Sequence, residues 1–268
     1  MSSRSRRRNR LRELLETRSI VLGPFISMSD STVIDLVGLA GYDFILLDAE
    51  HGNLSLETIA NHVRAARANN LGTLIRVPEG DTSYIQRALD LGVEGIEVPH
   101  VKSAADAQRA VSAVRFPPDG TRGMYTKGVV AEYGLHGYAS VEELTAAVNA
   151  EIVCNVIIED AEGVANVDEI VAVPGIDFVT VGPGDLSASL NVIGQPEHPV
   201  LREAIEKVLA ACRRANIPTH TSASAAPRSA DELRAAGIWM LTSDTDAVSL
   251  LHGMQADVAA LPKEPELS

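Results

Sequence analysis

The sequence lacks most of what a cross-linked, membrane-spanning or nucleic-acid-binding protein needs. It has two cysteines, Cys154 and Cys212, so no disulfide framework is expected and a reducing cytoplasm is predicted. No apolar run approaches the roughly 20 residues that span a bilayer, and the basic start has no apolar signal-peptide segment after it. The formal charge of −13 argues against a nucleic-acid partner, because such proteins present a basic face.

The one basic run of the chain lies at its start, where arginines occupy positions 4, 6 to 8, 10 and 12. The residues that follow, Leu11 to Leu15, have the pattern of an amphipathic helix. We therefore expect residues 1–18 to be a helical extension that is frayed or packs against another subunit, with a nucleic-acid arm as the alternative. Residues 261–268 contain two prolines and two glutamates and are expected to form a flexible tail.

Aromatic residues are scarce, whereas alanine, valine, leucine and isoleucine are abundant, as in parallel sheets covered by helices. Apolar runs of strand length alternate with segments of helical periodicity along the whole chain. Eight βα units in series predict a single (β/α)₈ TIM barrel over residues 1–268 rather than an open doubly wound sheet. The predicted strands are Ile20–Ser27, Phe44–Asp48, Thr73–Val77, Gly95–Val98, Ile152–Glu159, Asp177–Val181, Ile217–Thr221 and Ile238–Thr242.

Amphipathic segments between these strands predict helices, several of them preceded by serine or aspartate residues that commonly begin a helix. The longest departure from the alternation is Phe116–Ala139, which contains two consecutive prolines and several glycines. A loop of this length inside one domain is more often functional than idle. The predicted helices are Asp30–Ala40, Ser55–Asn69, Thr82–Leu91, Ala104–Val114 and Pro199–Asn216.

Charged side chains follow several of the predicted strands at the point where each strand ends. Alone, an arginine in a strand could be a structural ion pair, a glutamate could cap a helix, and a histidine before glycine could belong to a turn. Together they indicate an active site, because a barrel builds its chemistry at the carboxyl ends of its strands. These residues are Asp48 and His51 after strand two, Arg76 in strand three, Glu159 closing strand five and Asp185 after strand six.

Glu159 and Asp185 belong to neighbouring strands and are therefore able to reach one ion. Two carboxylates, completed by water and substrate oxygens, suit a hard cation such as Mg²⁺ or Mn²⁺, and the lack of a His/Cys cluster argues against structural zinc. The amides near Gly184, at a helix start, would suit a carboxylate or phosphate. The four lysines fall in loop-like or helix-like segments, which disfavours a lysine Schiff base.

These residues, taken with their neighbours, resemble the HpcH/HpaI aldolases, the metal-dependent pyruvate aldolases of class II. The resemblance covers roughly residues 20–255 and rests on motifs that occur in the family's order. It implies a (β/α)₈ barrel that assembles as a homohexamer and exchanges C-terminal helices between neighbours. The motifs are Asp48-Ala49-Glu50-His51, Arg76-Val77-Pro78, Arg115-Phe116-Pro117-Pro118-Asp119-Gly120-Thr121-Arg122-Gly123, Glu159, and Gly182-Pro183-Gly184-Asp185-Leu186-Ser187.

The resemblance also implies roles for individual residues. Glu159 and Asp185 would bind the metal, expected to be Mg²⁺ with Mn²⁺ or Co²⁺ as alternatives, and no organic cofactor is expected. Arg76 would stabilise the pyruvate enolate, and the amides of Gly184 and Asp185 would hold the pyruvate carboxylate. His51, oriented by Asp48, would be the acid–base group, acting through a water on the metal. Asp90 matches an acidic position near the subunit boundary and would position the aldehyde.

The sequence departs from the family pattern on the side expected to hold the aldehyde-type acceptor. Ile157 stands where members usually have glutamine. The usual second glycine is missing around Gly123-Met124-Tyr125, and Tyr125 would fill space near the site. His220 and Ser222 place polar groups in a strand that is often apolar. We predict metal-assisted enolate chemistry on a 2-keto acid with an altered acceptor. A decarboxylase, a CoA-ester lyase of the citrate-lyase-β type and a non-catalytic keto-acid-binding barrel remain alternatives.

Overall fold

The computed structural model describes residues 8–135, 137–227 and 229–261. Eight strands alternate with helices, and a 3₁₀ turn, Val129–Gly134, lies inside the long loop. The strands are β1 (Val21–Ile26), β2 (Phe44–Asp48), β3 (Gly72–Arg76), β4 (Gly95–Val98), β5 (Val153–Ile158), β6 (Phe178–Val181), β7 (Thr219–Ser222) and β8 (Ile238–Thr245). The helices are α1 (Arg10–Thr17), α2 (Thr32–Leu39), α3 (Leu56–Ala68), α4 (Thr82–Asp90), α5 (Ala104–Val114), α6 (Val141–Glu151), α7 (Ala161–Ala165), α8 (Val167–Val171), α9 (Pro183–Ser189), α10 (Pro199–Ala215), α11 (Ala230–Ala236) and α12 (Asp246–Ala260).

The strands close into a parallel barrel in which each strand pairs with its sequence neighbours and β8 pairs with β1. Strands β2, β5 and β6 are buried along their whole length, because helices cover one face and the barrel interior the other. Every predicted strand overlaps an observed one, and the prediction of a (β/α)₈ barrel is confirmed. The five predicted helices correspond to α2, α3, α4, α5 and α10.

Helix α1 closes the end of the barrel at which the strands begin. Leu11 and Leu14 are buried in one apolar cluster with residues of the barrel interior such as Phe44 and Leu74. Arg12 Nη1 donates to Asp177 Oδ1 at 2.6 Å. The expectation of a frayed or subunit-packing helix is therefore wrong for α1, because its apolar face completes the barrel core. Three other arginines of the basic run, at positions 4, 6 and 7, lie outside the described residues.

Helix α12 projects from the barrel. Asp246, its first residue, is its only buried one, and the helix exposes a row of large apolar side chains, Leu250, Leu251, Met254 and Val258. In the described part of the chain, no helix combines the length and apolar character that crossing a membrane requires. Most of the predicted tail, residues 262–268, lies outside the described residues.

Candidate active site

Asp48 and Arg76 are opposite each other on β2 and β3, at the carboxyl ends of both strands. Arg76 donates from Nε to Asp48 Oδ1 at 3.1 Å and from Nη2 to Asp48 Oδ2 at 2.9 Å. Glu50 Oε2 lies 3.3 Å from Arg76 Nε. Burial would raise the pKa of Asp48, but the hydrogen bonds and charge of Arg76 hold that pKa below its ordinary value. The pair therefore stays ionised and fixes the guanidinium in place.

The turn after β2 carries His51 to the rim of the site. Asp48 Oδ1 accepts the backbone N–H groups of Glu50 and His51, each at 3.2 Å. A side chain at Gly52 would collide with the Asp48 carbonyl oxygen, so this tight turn requires glycine. The His51 side chain is 63% exposed, and its Nε2 lies 3.9 Å from Glu50 Oε2. Asp48 thus orients His51 through the main chain, and the imidazole faces solvent.

Glu159 follows β5 directly and is 4% exposed. Burial raises the pKa of this carboxyl, and the negative charges of Asp185 and Glu50 raise it further. A Cβ added at Gly182 would stand 2.8 Å from Glu159 Oε2, so that oxygen faces the start of α9, the helix whose first turn contains Asp185. The two carboxylates expected from the sequence to bind a metal are thus neighbours in the fold.

Glu50 and His100 also belong to this constellation, although the sequence reasoning did not single them out. His100 Nε2 lies 3.3 Å from Glu50 Oε1, and its Nδ1 lies 3.2 Å from Glu159 Oε1. Glu50 was noted only as part of the Asp48–His51 motif. His100 comes two residues after the end of β4, the position at which a barrel presents functional side chains, and this position was its one sequence signal.

Ile157 lies beneath Glu159 on the interior of β5. Its side chain is 2% exposed, and its Cγ2 would be 3.3 Å from a Cβ added at Gly182. Around Gly184, by contrast, an added Cβ would meet nothing within 4 Å, so the first turn of α9 is open. The floor of the site is therefore apolar at this position.

Asp90 and Tyr125 lie elsewhere in the chain. Asp90 ends α4 and so lies where β4 begins, at the barrel end opposite Glu159. Its Oδ1 accepts from Arg122 Nη2 at 2.9 Å, and the Tyr125 ring lies against Gly128 close to the Asp90 carbonyl. The chain does not bring these two residues to its own carboxylates. Their predicted roles near a substrate remain predictions that require a neighbouring subunit.

The interior below Arg76 is polar. Glu97 is the register partner of Arg76 on β4, and its Oε1 accepts from Asn155 Nδ2 at 2.6 Å and from Thr180 Oγ1 at 2.7 Å. His220 Nδ1 lies 3.2 Å from the same Glu97 oxygen. His220 is therefore a buried network residue rather than part of the acceptor surface. Ser222, further along β7, pairs its hydroxyl with that of Ser224.

Comparison with known proteins identifies the family of the chain. Residues 21–253 match the family model described as HpcH/HpaI aldolase/citrate lyase. A 2-dehydro-3,6-dideoxy-6-sulfogluconate aldolase of Pseudomonas putida is 34% identical over 76% of this chain and 78% of its own length. A hydroxypyruvate/pyruvate aldolase of Roseobacter denitrificans is 35% identical over 75% of this chain and 77% of its own.

Among solved structures, an HpcH/HpaI aldolase from Desulfitobacterium hafniense superposes with a TM-score of 0.84 at 28% identity. The superposition covers 96% of this chain and 98% of that one. The aldolase relatives and the matched family both indicate chemistry at a carbon–carbon bond. The chain belongs to the HpcH/HpaI aldolase/citrate lyase family and is a carbon–carbon lyase.

Proposed function

We propose that this lyase is a divalent-metal-dependent aldolase that makes or breaks the bond next to a 2-keto acid through a pyruvate enolate. The observation that carries the proposal is the placement of Arg76, Glu159 and Asp185 at the carboxyl end of the barrel, where Arg76 contacts Glu50 and His100 links Glu50 to Glu159. Aldol cleavage next to a keto group leaves an enolate, and this end of the barrel offers both a fixed cation and a pair of acidic ligands to meet that charge.

The donor set supports a hard cation. Glu159 and Asp185 are like charges close enough to raise the pKa of Glu159, an arrangement that a positive ion would relieve. Among the described residues, no group of three or more His, Cys, Asp or Glu side chains is arranged to hold an ion. Mg²⁺ commonly uses one or two protein carboxylates and leaves its other positions to water and substrate oxygens. When bound, such an ion would act as a Lewis acid toward the keto acid.

We assign to Arg76 the stabilisation of the enolate oxygen. Both hydrogen bonds that it makes within the described chain use Nε and Nη2, which leaves Nη1 to face a substrate oxygen. Its pKa is raised, since its hydrogen bonds to Asp48 and nearby carboxylates outweigh burial, and the guanidinium stays charged. His51, on the rim, is assigned the proton transfer. Its exposed imidazole is free to exchange protons with solvent and with an entering acceptor.

The substrate is proposed to be a small 2-keto acid that combines with an aldehyde-type acceptor. The relatives from Pseudomonas putida and Roseobacter denitrificans are named for a keto-sugar-acid aldolase and a hydroxypyruvate/pyruvate aldolase. We assign the binding of the keto-acid carboxylate to the open first turn of α9, at Gly184 and Asp185. The acceptor would lie over Ile157, whose alkyl side chain gives that part of the floor no hydrogen-bonding group.

Solvent deuterium exchange tests the enolate step directly. Pyruvate in D₂O is incubated with the metal-free protein, with and without added Mg²⁺, Mn²⁺ or Co²⁺, and the methyl protons are followed by NMR. We expect exchange that requires the metal and is lost in His51→Ala. The matched control is His252→Ala, which removes an exposed imidazole on α12 and leaves exchange unchanged. No exchange with any of the three metals would contradict the proposal.

The assembly belongs to the same proposal. The exposed apolar row on α12 is proposed to pack against another copy of the chain, in a homohexamer that exchanges these helices. This packing supplies the burial that Leu250, Leu251, Met254 and Val258 lack within one chain. A neighbour is also the only source of Asp90 and Tyr125 for an acceptor site, because both lie at the far end of their own barrel.

A further inference from the structure

His100 adopts a backbone conformation that its residue type rarely takes. Its φ is 55°, in the left-handed region, directly after Pro99 at the end of β4. A residue with a Cβ pays a free-energy cost there and keeps the conformation only when its surroundings impose it. Such outliers concentrate at functional sites, so the contacts that this conformation makes deserve a physical account.

The first contact comes from the main chain. The His100 N–H donates to Glu159 Oε1 at 2.8 Å, a charge-assisted hydrogen bond to a carboxylate that is almost fully buried. With Oε1 held in this way, Oε2 is the oxygen that faces Gly182 and the start of α9. The hydrogen bond thus fixes the orientation of the carboxylate, with its second oxygen toward the start of α9.

The second contact comes from the imidazole. It lies between two carboxylates, with Nδ1 3.2 Å from Glu159 Oε1 and Nε2 3.3 Å from Glu50 Oε1. Glu50 lies in the turn after β2 and contacts Arg76. One side chain therefore ties the acidic group expected to bind the ion to the turn that carries His51.

From these contacts we propose that His100 is a positioning residue for Glu159: its amide fixes Oε1, and its imidazole sets the spacing between Glu159 and Glu50. The inference rests on the proposed function, because it takes Glu159 as a ligand of the divalent ion. In other metal sites, replacing a group that orients a metal ligand typically lowers metal affinity or activity by about 10- to 100-fold.

The segment after β4 runs alongside β5 at the level of Ile157, since Val101 N donates to the Ile157 carbonyl at 3.2 Å. The alkyl side chain of Ile157 offers Glu159 no hydrogen bond, and His100 supplies one from the neighbouring strand end. Glu159 thus takes its polar support from the wall of the barrel rather than from position 157 beneath it.

Mn²⁺ binding to the metal-free protein, followed by titration calorimetry and by the Mn²⁺ EPR spectrum, tests the inference. His100→Val removes the imidazole and disfavours the left-handed backbone, and affinity should fall about 10- to 100-fold. Asparagine tolerates the left-handed backbone, so His100→Asn should keep the main-chain N–H directed at Glu159 and recover part of the lost affinity. Both variants should alter the EPR spectrum of any Mn²⁺ that still binds.

Matched variants separate a positioning role from general damage. Asn70 is exposed and has a φ of 56°, so Asn70→Val imposes a similar backbone cost away from the site and should leave Mn²⁺ affinity unchanged. His252→Asn removes an exposed imidazole and should also leave Mn²⁺ affinity unchanged. Thermal unfolding of each metal-free variant confirms that it is folded before titration.

The outcomes are distinguishable. If Glu159→Gln binds Mn²⁺ like the wild type, the ion does not use Glu159, and the proposed function fails with the inference. If Glu159→Gln loses binding while His100→Val and His100→Asn retain wild-type affinity and EPR spectra, the inference alone fails. Loss in His100→Val with partial recovery in His100→Asn supports both.

Discussion

Arg76 and Asp48 meet edge to edge across the β2–β3 ladder, with two parallel hydrogen bonds of 3.1 and 2.9 Å. A lysine at position 76 cannot form this pair, because an ammonium is a single point of charge rather than a planar fork. Arg76→Lys should therefore leave the site cationic but misplace the charge meant for the enolate. We expect kcat to fall by about 10²–10³, the loss seen when one oxyanion donor is removed.

The measurement is the rate of deuterium exchange into pyruvate at saturating Mn²⁺. Arg87→Lys, an exposed arginine on α4, is the control and should keep the wild-type rate. A wild-type rate of exchange in Arg76→Lys would show that Arg76 does not stabilise the enolate.

Glu159→Gln should stabilise the metal-free protein at pH 8. Because burial raises the pKa of Glu159, the folded state binds its proton more tightly than the unfolded chain does. The stability linked to that proton is complete below the ordinary glutamate value of 4.5 and is lost as the pH rises through the raised pKa. Glutamine removes the buried charge, so its Tm advantage should grow between pH 5 and pH 8.

The measurement is thermal unfolding between pH 5 and pH 8 in the presence of a chelator. The exposed Glu197→Gln is the control, and its Tm difference from the wild type should not change with pH. Added Mn²⁺ should then raise the Tm of the wild type and not of Glu159→Gln. A lower Tm for Glu159→Gln at pH 8 would contradict the argument from burial.

Ile157→Gln should restore a polar floor and shift acceptor preference toward hydroxylated aldehydes, by about tenfold in relative kcat/KM. An amide at this 2% exposed position, if only partly hydrogen-bonded, should also cost about 1–3 kcal/mol of stability. Deuterium exchange into pyruvate should persist, since Arg76 and Glu159 are unchanged. Ile157→Leu keeps the site apolar and serves as the control. An unchanged acceptor ratio in Ile157→Gln would show that the acceptor does not contact the floor.

Helix α12 is expected to form the contact that holds the subunits of the oligomer together. Leu251→Glu combined with Met254→Glu places two charges in its exposed apolar row, and burying them against another copy would be costly. We expect the mass measured by light scattering to drop from the assembly to smaller species. Gln255→Glu, on the same helix and also exposed, should preserve the assembly. If the double variant keeps the wild-type mass, the helix does not mediate assembly.

The alternation of apolar runs was sufficient to predict the barrel, because each buried parallel strand must be nearly continuously apolar. Phe44–Asp48 and Gly95–Val98 were predicted with their observed bounds. The packing of α1 against the barrel core was not predictable in this way. A short amphipathic helix next to arginines does not show, in sequence alone, that its apolar face plugs a barrel.

The candidate site was predictable where a charged side chain directly ends a strand, as with Asp48, Arg76 and Glu159. His100 was not, because its contacts depend on a left-handed backbone that directs its N–H and imidazole to Glu159, and the sequence does not reveal that conformation. Asp90 and Tyr125 were expected near the substrate only because the sequence resembles a family whose members assemble into oligomers. One chain alone separates them from the carboxylates they were expected to join.

Asp246 begins α12 and accepts the backbone N–H groups of Ser27 and Met28, each at 3.0 Å, together with the Ser27 hydroxyl at 2.7 Å. The helix that projects from the barrel is thus fastened at its root to the loop leaving β1, which opens on the same end as Arg76 and Glu159. The start of α12 and the mouth of the barrel therefore depend on the same carboxylate, and a substitution that removes it would weaken both.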